Sequence, residues 1–251
     1  MINRRILKNM LALHKLWLGG SKEGKRADMT GCDLSGLVLA GENLSGAILT
    51  NAKLANAVLL DCDFSHCVLD GADLSDANLG GTSLKKASAI GARLYDTNLV
   101  RVNLSEAVFR KTEMVAADLT GAKASDTDFS QSNMRGVYAT GANFSRAIFA
   151  QTALLGAVLD NATFGKADMT GADLSGASLE GATMWKTVLT DAILTDTVLE
   201  QKNDDTDSTE AANAENVVKA LRALGVNTTV VLDNGQQASL AQLISALSGR
   251  K

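Results

Sequence analysis

Every fifth residue from Met29 to Leu199 is large and apolar, or alanine, with no insertion or deletion along the way. The class holds 35 positions: 21 Leu, 6 Phe, 5 Met and 3 Ala, namely Ala89, Ala124 and Ala139. All six phenylalanines of the chain fall in it. The chance of six residues sharing one class modulo five is roughly 1 in 3,000, so the period itself carries the fold signal. A helix repeats near 3.6 residues and a strand at 2, so neither accounts for a period of five.

Two residues before each large one runs a second class, from Ala27 to Thr197. It contains 20 Ala, 7 Thr, 3 Cys, 2 Val and single Ser, Leu and Glu residues. Between the classes lies a position rich in Asp and Asn, as in Ala72-Asp73-Leu74 and Ala142-Asn143-Phe144. Two mostly small or polar residues follow, often Ser-Gly or Thr-Gly. This A-[D/N]-L-x-x pattern resembles the pentapeptide-repeat family over residues 27–201. The resemblance implies a mainly β fold, a right-handed quadrilateral β-helix in which four successive repeats close one turn of the coil. Thirty-five repeats then give about nine coils and a rod of about 42 Å at the strand spacing.

Within that frame the large residue points to the axis and stacks on its equivalent four repeats later. The residue two before it points inward near a corner, where only a small side chain fits. Cys32, Cys62 and Cys67 are therefore expected as reduced fillers rather than ligands; their spacing fits no zinc pattern. Large residues are offset by small ones at the same level, Ala124 with Phe109 and Ala139 with Phe129 and Phe144, as dense packing requires. Phe109, Phe129 and Phe149 are expected to form a column along one face.

Outward positions are where function would reside. The residue before each large one, taken on one face, includes Ile48, Val68, Val108, Ile148 and Val188. The opposite face carries Val38, Val58, Tyr138, Val158 and Val198. The first row is a candidate partner-binding stripe; strand preference of branched residues explains it equally. The recurring aspartates read as solvated ladders rather than acid/base pairs, and no nucleophile has a plausible base near His66. No catalytic, cofactor or metal site is expected, and the glycines follow the five-residue beat instead of forming a phosphate loop.

Residues 1–26 read as an N-terminal helix and lead-in. Arg4, Arg5, Lys8, Ala12 and Lys15 share one arc of the helix, while Ile2, Ile6, Met10, Leu13 and Trp17 make a broad apolar face. Capping the open end of the solenoid is one use of it; lying on a membrane surface is another. The run His14-Lys-Leu-Trp17-Leu, then Gly24-Lys-Arg-Ala27-Asp, looks like a lead-in seen in bacterial members of the family. Residues 202–213 form a polar, acidic linker. Residues 214–251 form a helix-strand-helix tail: a helix over 214–224, a strand over 226–232, a turn at Asp233-Asn234-Gly235, and a helix opened by Ser239 and Gln242. A tail this short folds alone only rarely. Its apolar residues Val217, Leu221, Val230, Leu232, Leu240, Leu243, Ile244 and Leu247 are candidates for homodimerisation or higher assembly, or for a private cap on the last coil.

Net charge is −4, which disfavours a basic nucleic-acid binder. No stretch approaches the roughly 20 apolar residues of a membrane span. Lys8, His14 and Lys15 interrupt any signal-peptide core, so the chain reads as cytoplasmic, with signal-independent export left open. Three functions remain in view. The first is a non-catalytic protein–protein interaction scaffold. The second comes from the family, some of whose members resemble B-form DNA, bind DNA gyrase and protect it from quinolones or toxins. The third is an effector or a phage- or secretion-associated accessory. Residues 27–201 carry 21 acidic and 12 basic residues, a net −9, whereas DNA of that length carries roughly 25 charges. The rod also has no loop insertions of the kind several topoisomerase-protecting members need.

Overall fold

A computed structural model describes residues 2–198 and the backbone of two short segments, 229–231 and 237–239. From Asp28 to Val198 each residue before a large one pairs in parallel with the residue 20 positions on, Asp28 with Ile48 and so on to Ser178 with Val198. Four such residues occur in each interval of that length, so the chain winds as a four-walled coil. Each wall is narrow, because only one residue in five enters the ladder.

The period follows from a complete accounting of backbone donors. In the first repeat the Met29 N–H donates to the Ile48 carbonyl (2.7 Å) and the Gly31 N–H to the Thr50 carbonyl (2.9 Å), both one coil further along. The Ile48 N–H donates back to Ala27 (3.0 Å), and the Cys32 N–H closes a turn on Met29 (2.9 Å). Along the coil it is the N–H after the large residue that lacks a main-chain partner, and an Asp or Asn before the large residue supplies one, as described below.

Each corner is a four-residue turn with positive φ at its third residue alone, the type II pattern. All residues of the class 31, 36 and onward to 196 have φ between 50° and 75°. Glycine accepts this conformation without cost. At Gly71 it also leaves room for the Asn51 side chain, which would collide with a Cβ there. Twenty of these corners nevertheless hold other residues, from Asn51 to Asp196, including Lys86, Arg101, Ala116 and Lys166.

The core is the single column the period demands. Every large residue from Met29 to Leu194 is buried, as are the small ones two positions earlier from Ala47 to Thr197. Where the small position carries a donor, it mostly bonds the turn carbonyl one coil below: Thr82 to Leu59 (2.7 Å), Thr97 to Leu74 (2.9 Å), Cys62 to Leu39 (3.0 Å) and Cys67 to Leu44 (2.9 Å); Thr112 instead bonds Phe109 in its own turn (2.9 Å). Cysteine, serine and threonine are therefore interchangeable fillers with a use for their hydrogen. Phe109, Phe129 and Phe149 stack in a column, with centroids 6.0 and 5.1 Å apart. A second column, Phe144 on Phe164 at 5.3 Å, meets the first edge-on.

Helix α1, Arg4–Leu18, covers the first coil. Asn3 caps it by accepting from the Arg5 and Ile6 N–H groups. Ile2 N–H donates to the Asp33 carbonyl (2.9 Å), tying the cap to the wall. Leu7 and His14 are buried against the coil, with Met10 and Leu11 beside them. The chain then doubles back so closely that a Cβ on Gly24 would strike the Trp17 backbone. Leu37 and Glu42 break the small-residue class only here. Leu37 lies in the groove beside Leu7 and Leu11 of α1.

At the other end, β1 (Ala192–Ile193) pairs in parallel with β2 (Thr229–Val231), Ala192 opposite Val230. β2 pairs antiparallel with β3 (Gln237–Ser239). β2 adds two rungs to one wall of its own rod. Ser239, expected to open a helix, ends β3. Val217, Leu221, Leu232, Leu240, Leu243, Ile244 and Leu247, and the spans expected to hold a linker (202–213), a helix (214–224), a turn (233–235) and a helix beyond Ser239, lie outside the described residues.

Candidate interaction surface

The Asp/Asn position supplies the missing backbone partner. Asp28 Oδ1 accepts the Thr30 N–H (3.0 Å) and the Thr30 hydroxyl (2.7 Å). Asp168 does the same for Thr170 (3.0 and 2.6 Å), and Asn143 for Ser145 (3.0 and 2.7 Å). The expectation that these aspartates are merely solvated ladders is therefore corrected: each caps its own turn, which explains why Ser or Thr follows the large residue so often. The Thr30 hydroxyl and N–H hold the Asp28 carboxyl below its usual range. At Asp73 partial burial pushes upward, but the Ser75 bonds and Arg93 outweigh it and leave the pKa lowered. Groups held ionised in this way are poor general acids at neutral pH.

Where a branched residue replaces Asp, the cap is lost and an apolar surface appears. The five stripe residues share one wall. Ile48 and Val68 are direct ladder neighbours and are half-buried, as is Val108. Ile148 and Val188 are 37% and 43% exposed. The row is broken by Ser88, Asp128 and Asp168, so it is dashed rather than continuous. Asp128 is itself buried; it accepts from Ser130 and pairs with Arg110 Nε at 2.6 Å. On the opposite wall the Asn98 amide donates to Asn78 (3.0 Å), separating exposed Val38 from exposed Tyr138 and Val198.

Trp185 is a surface feature that the branched-residue stripe leaves out. It lies just after Met184, is more than half exposed, and has Lys186 Nζ at 4.5 Å and Lys166 Nζ at 5.3 Å from its ring. The signal was present in the sequence: every Phe occupies an inward position, whereas Trp185, Tyr138 and Tyr95 occupy outward ones.

Charges pair along the rod axis. Arg93 meets Asp73 (3.0 Å), Arg146 meets Asp126 (2.6 Å) and Lys86 meets Glu106 (3.2 Å), each one coil apart. Exposed pairs of this kind contribute little stability, but they break up any run of negative potential. Burial pushes the Cys67 thiol up to about 12 and raises that of Cys62, so neither is a thiolate near neutrality. Among the described residues no three His, Cys, Asp or Glu side chains are grouped to hold a metal ion, and no helix is long and apolar enough to cross a membrane.

A family model described as pentapeptide repeats matches residues 27–65, 62–99, 97–136, 140–176 and 172–201. No curated protein sequence matches the chain. Among solved structures, a trypsin-treated form of QnrB1, a plasmid-mediated fluoroquinolone resistance protein, is similar at 24% identity, covering 75% of this chain and 96% of its own, with a TM-score of 0.48. HetL, a pentapeptide repeat protein involved in heterocyst differentiation regulation from the cyanobacterium Nostoc, is similar at 28% identity. It covers 74% of this chain and 90% of its own, with a TM-score of 0.28.

Proposed function

We infer, from the premise that the chain belongs to the pentapeptide-repeat family, that it is a non-catalytic protein–protein interaction scaffold. One observation carries this reading: the ladder runs without interruption from Asp28 to Val198. A chain built this way holds outward side chains at fixed intervals of about 4.8 Å along each wall. It is thus a ruler for a partner, with its chemistry confined to the walls. The docking stripe comprises Ile48, Val68, Val108, Ile148 and Val188, of which Ile148 and Val188 offer the most apolar area. The tail 214–251 is a self-assembly or docking element, and β2 gives it a foothold on the rod.

The test compares partner capture by the full chain and by Ile148→Lys/Val188→Lys, read by quantitative mass spectrometry. The reading expects a defined set of proteins lost from the variant. Identical capture by both would return the stripe to strand preference. Light scattering of the full chain against a 1–202 truncation tests assembly, which fails if both are monomers.

A gyrase-binding DNA mimic is the second reading, and the charge pattern weighs against it. Net −9 on residues 27–201 is a sparse copy of a duplex, and Arg93, Arg110 and Arg146 interrupt it on the surface.

A further inference from the structure

The end of the rod covered by α1 differs in chemistry from the rest. The segment 1–26 carries seven basic side chains and one acidic one, against a net −9 on residues 27–201. Four of the large apolar side chains that remain exposed are also there: Ile6 at 55%, Leu16 at 43%, Trp17 at 39% and Leu18 at 38%. A helix turns 100° per residue, so the two sets can be placed on α1. Leu7 and His14 define the buried side. Arg4, Arg5, Lys8 and Lys15 form a strip on the outer side, and Leu16, Leu13 and Ile6 form a second strip next to it. Capping the coil therefore consumes only part of the apolar face. The remainder stands outward beside a row of cations.

We propose that this outer face of α1 docks the rod on an anionic lipid surface. Cations beside an apolar strip match the two layers of such a surface, acidic headgroups above acyl chain. Nucleic acid offers phosphates but nothing for Ile6 and Leu16. The helix is already formed and held, by the Asn3 cap and by the Ile2 bond to Asp33, so binding incurs no folding cost of the kind a free amphipathic peptide bears. The acidic walls are repelled by the same surface. The rod therefore stands on its N-terminal end, leaving the walls free for the partner inferred above.

The full chain is floated with vesicles of phosphatidylcholine alone and with vesicles in which about a third of the lipid is phosphatidylserine. The expected result is flotation with the anionic vesicles only, reduced at least tenfold by Arg4→Glu/Arg5→Glu/Lys8→Glu and by high salt. These three residues are exposed, and acidic side chains suit the first turn of a helix, so circular dichroism and the melting midpoint should match the parent. Should that variant not fold, Ile6→Ser/Leu16→Ser removes the apolar strip instead and should give the same loss. Equal flotation with both vesicle types, flotation with neither, capture of duplex DNA instead, or binding unchanged in the variants would each overturn the proposal.

Discussion

His14 is the residue whose perturbation most directly tests how the cap is fastened. Its ring is fully buried between α1 and the first coil. Nδ1 accepts the Ala27 N–H at 3.1 Å, the junction where the coil begins. Nδ1 must therefore be unprotonated, and the proton of the neutral ring sits on Nε2, which is buried without a hydrogen bond. Burial lowers the pKa below the usual 6.5; the carbonyls of Leu44 and Ser45 pull the other way, and Arg26 adds to the lowering. The folded state thus prefers the neutral ring. Its contribution is fully present above pH 6.5 and is lost as pH falls below that value, by at most about 1.4 kcal/mol per pH unit for one proton. Protonation sets one N–H against another, and the lost bond to Ala27 is part of that same loss. The assay uses a Trp185→Phe background, so that Trp17, stacked on His14 at 5.3 Å, reports alone, together with hydrogen exchange at the Ala27 amide. Opening of the cap should increase between pH 7 and pH 5. His14→Asn keeps an acceptor without a titrating group and should abolish that dependence. His14→Leu should cost about 1–3 kcal/mol at pH 8 and less toward pH 5, where the parent has itself lost part of the contribution. A cap equally protected at pH 5 and pH 8, or an unchanged slope in His14→Asn, would refute the argument.

Other parts of the molecule give independent tests. Ala116→Gly relieves a left-handed corner (φ 57°) and should raise stability by about 0.5–1 kcal/mol, net of the added freedom of the unfolded chain, measured by denaturant melts. Asp168→Ala removes both bonds to Thr170 and should cost about 1–2 kcal/mol in the same assay, whereas Asp168→Asn keeps the acceptor and should cost much less. Because Asp28, Asp73, Asp126 and Asp128 are all held below the ordinary carboxylate value, their stabilisation is complete above about pH 4. It is lost as pH falls further, so the melting temperature should be flat from pH 8 to 5 in His14→Asn and drop below 4. In a supercoiling assay with a quinolone, micromolar protein should leave gyrase unprotected; protection would restore the DNA-mimic reading.

The core was legible because inward positions admit so few residues. A class of Leu, Phe, Met and Ala at a spacing of five names its own members, and every one from Met29 to Leu194 is buried. The Phe144–Phe164 column follows from the same coil arithmetic as Phe109–Phe149 and could have been drawn from it. The corners were harder. Left-handed backbone advertises itself only through Gly, Asn or Asp, and Lys86, Arg101 and Lys166 hide it because the ladder on both sides holds them there. The role of the aspartates was hidden for another reason. A residue that recurs on the surface looks solvated until the unpaired N–H two positions later is counted. Trp185 follows its large residue, Met184, whereas the stripe residues precede theirs, so the branched pattern passes over it. At the tail, the sequence left open whether a strand there would pair with the last coil of its own rod or with another copy; β2 lies beside Ala192 and Ile193.

The four-repeat spacing of the ladder also constrains how such a gene can lengthen. Inserting a single five-residue unit would keep an inward residue on every side, but stacked pairs that span the insertion, such as Phe109 and Phe129, would part. Every wall beyond the insertion would also be turned by a quarter revolution. With the unit inserted between residues 73 and 93, Arg93 would no longer face Asp73, and Ile148 would leave the row of Ile48 and Val68. Only an internal duplication of a whole revolution leaves every wall beyond it in phase, so the exterior tolerates internal changes of four repeats far better than changes of one.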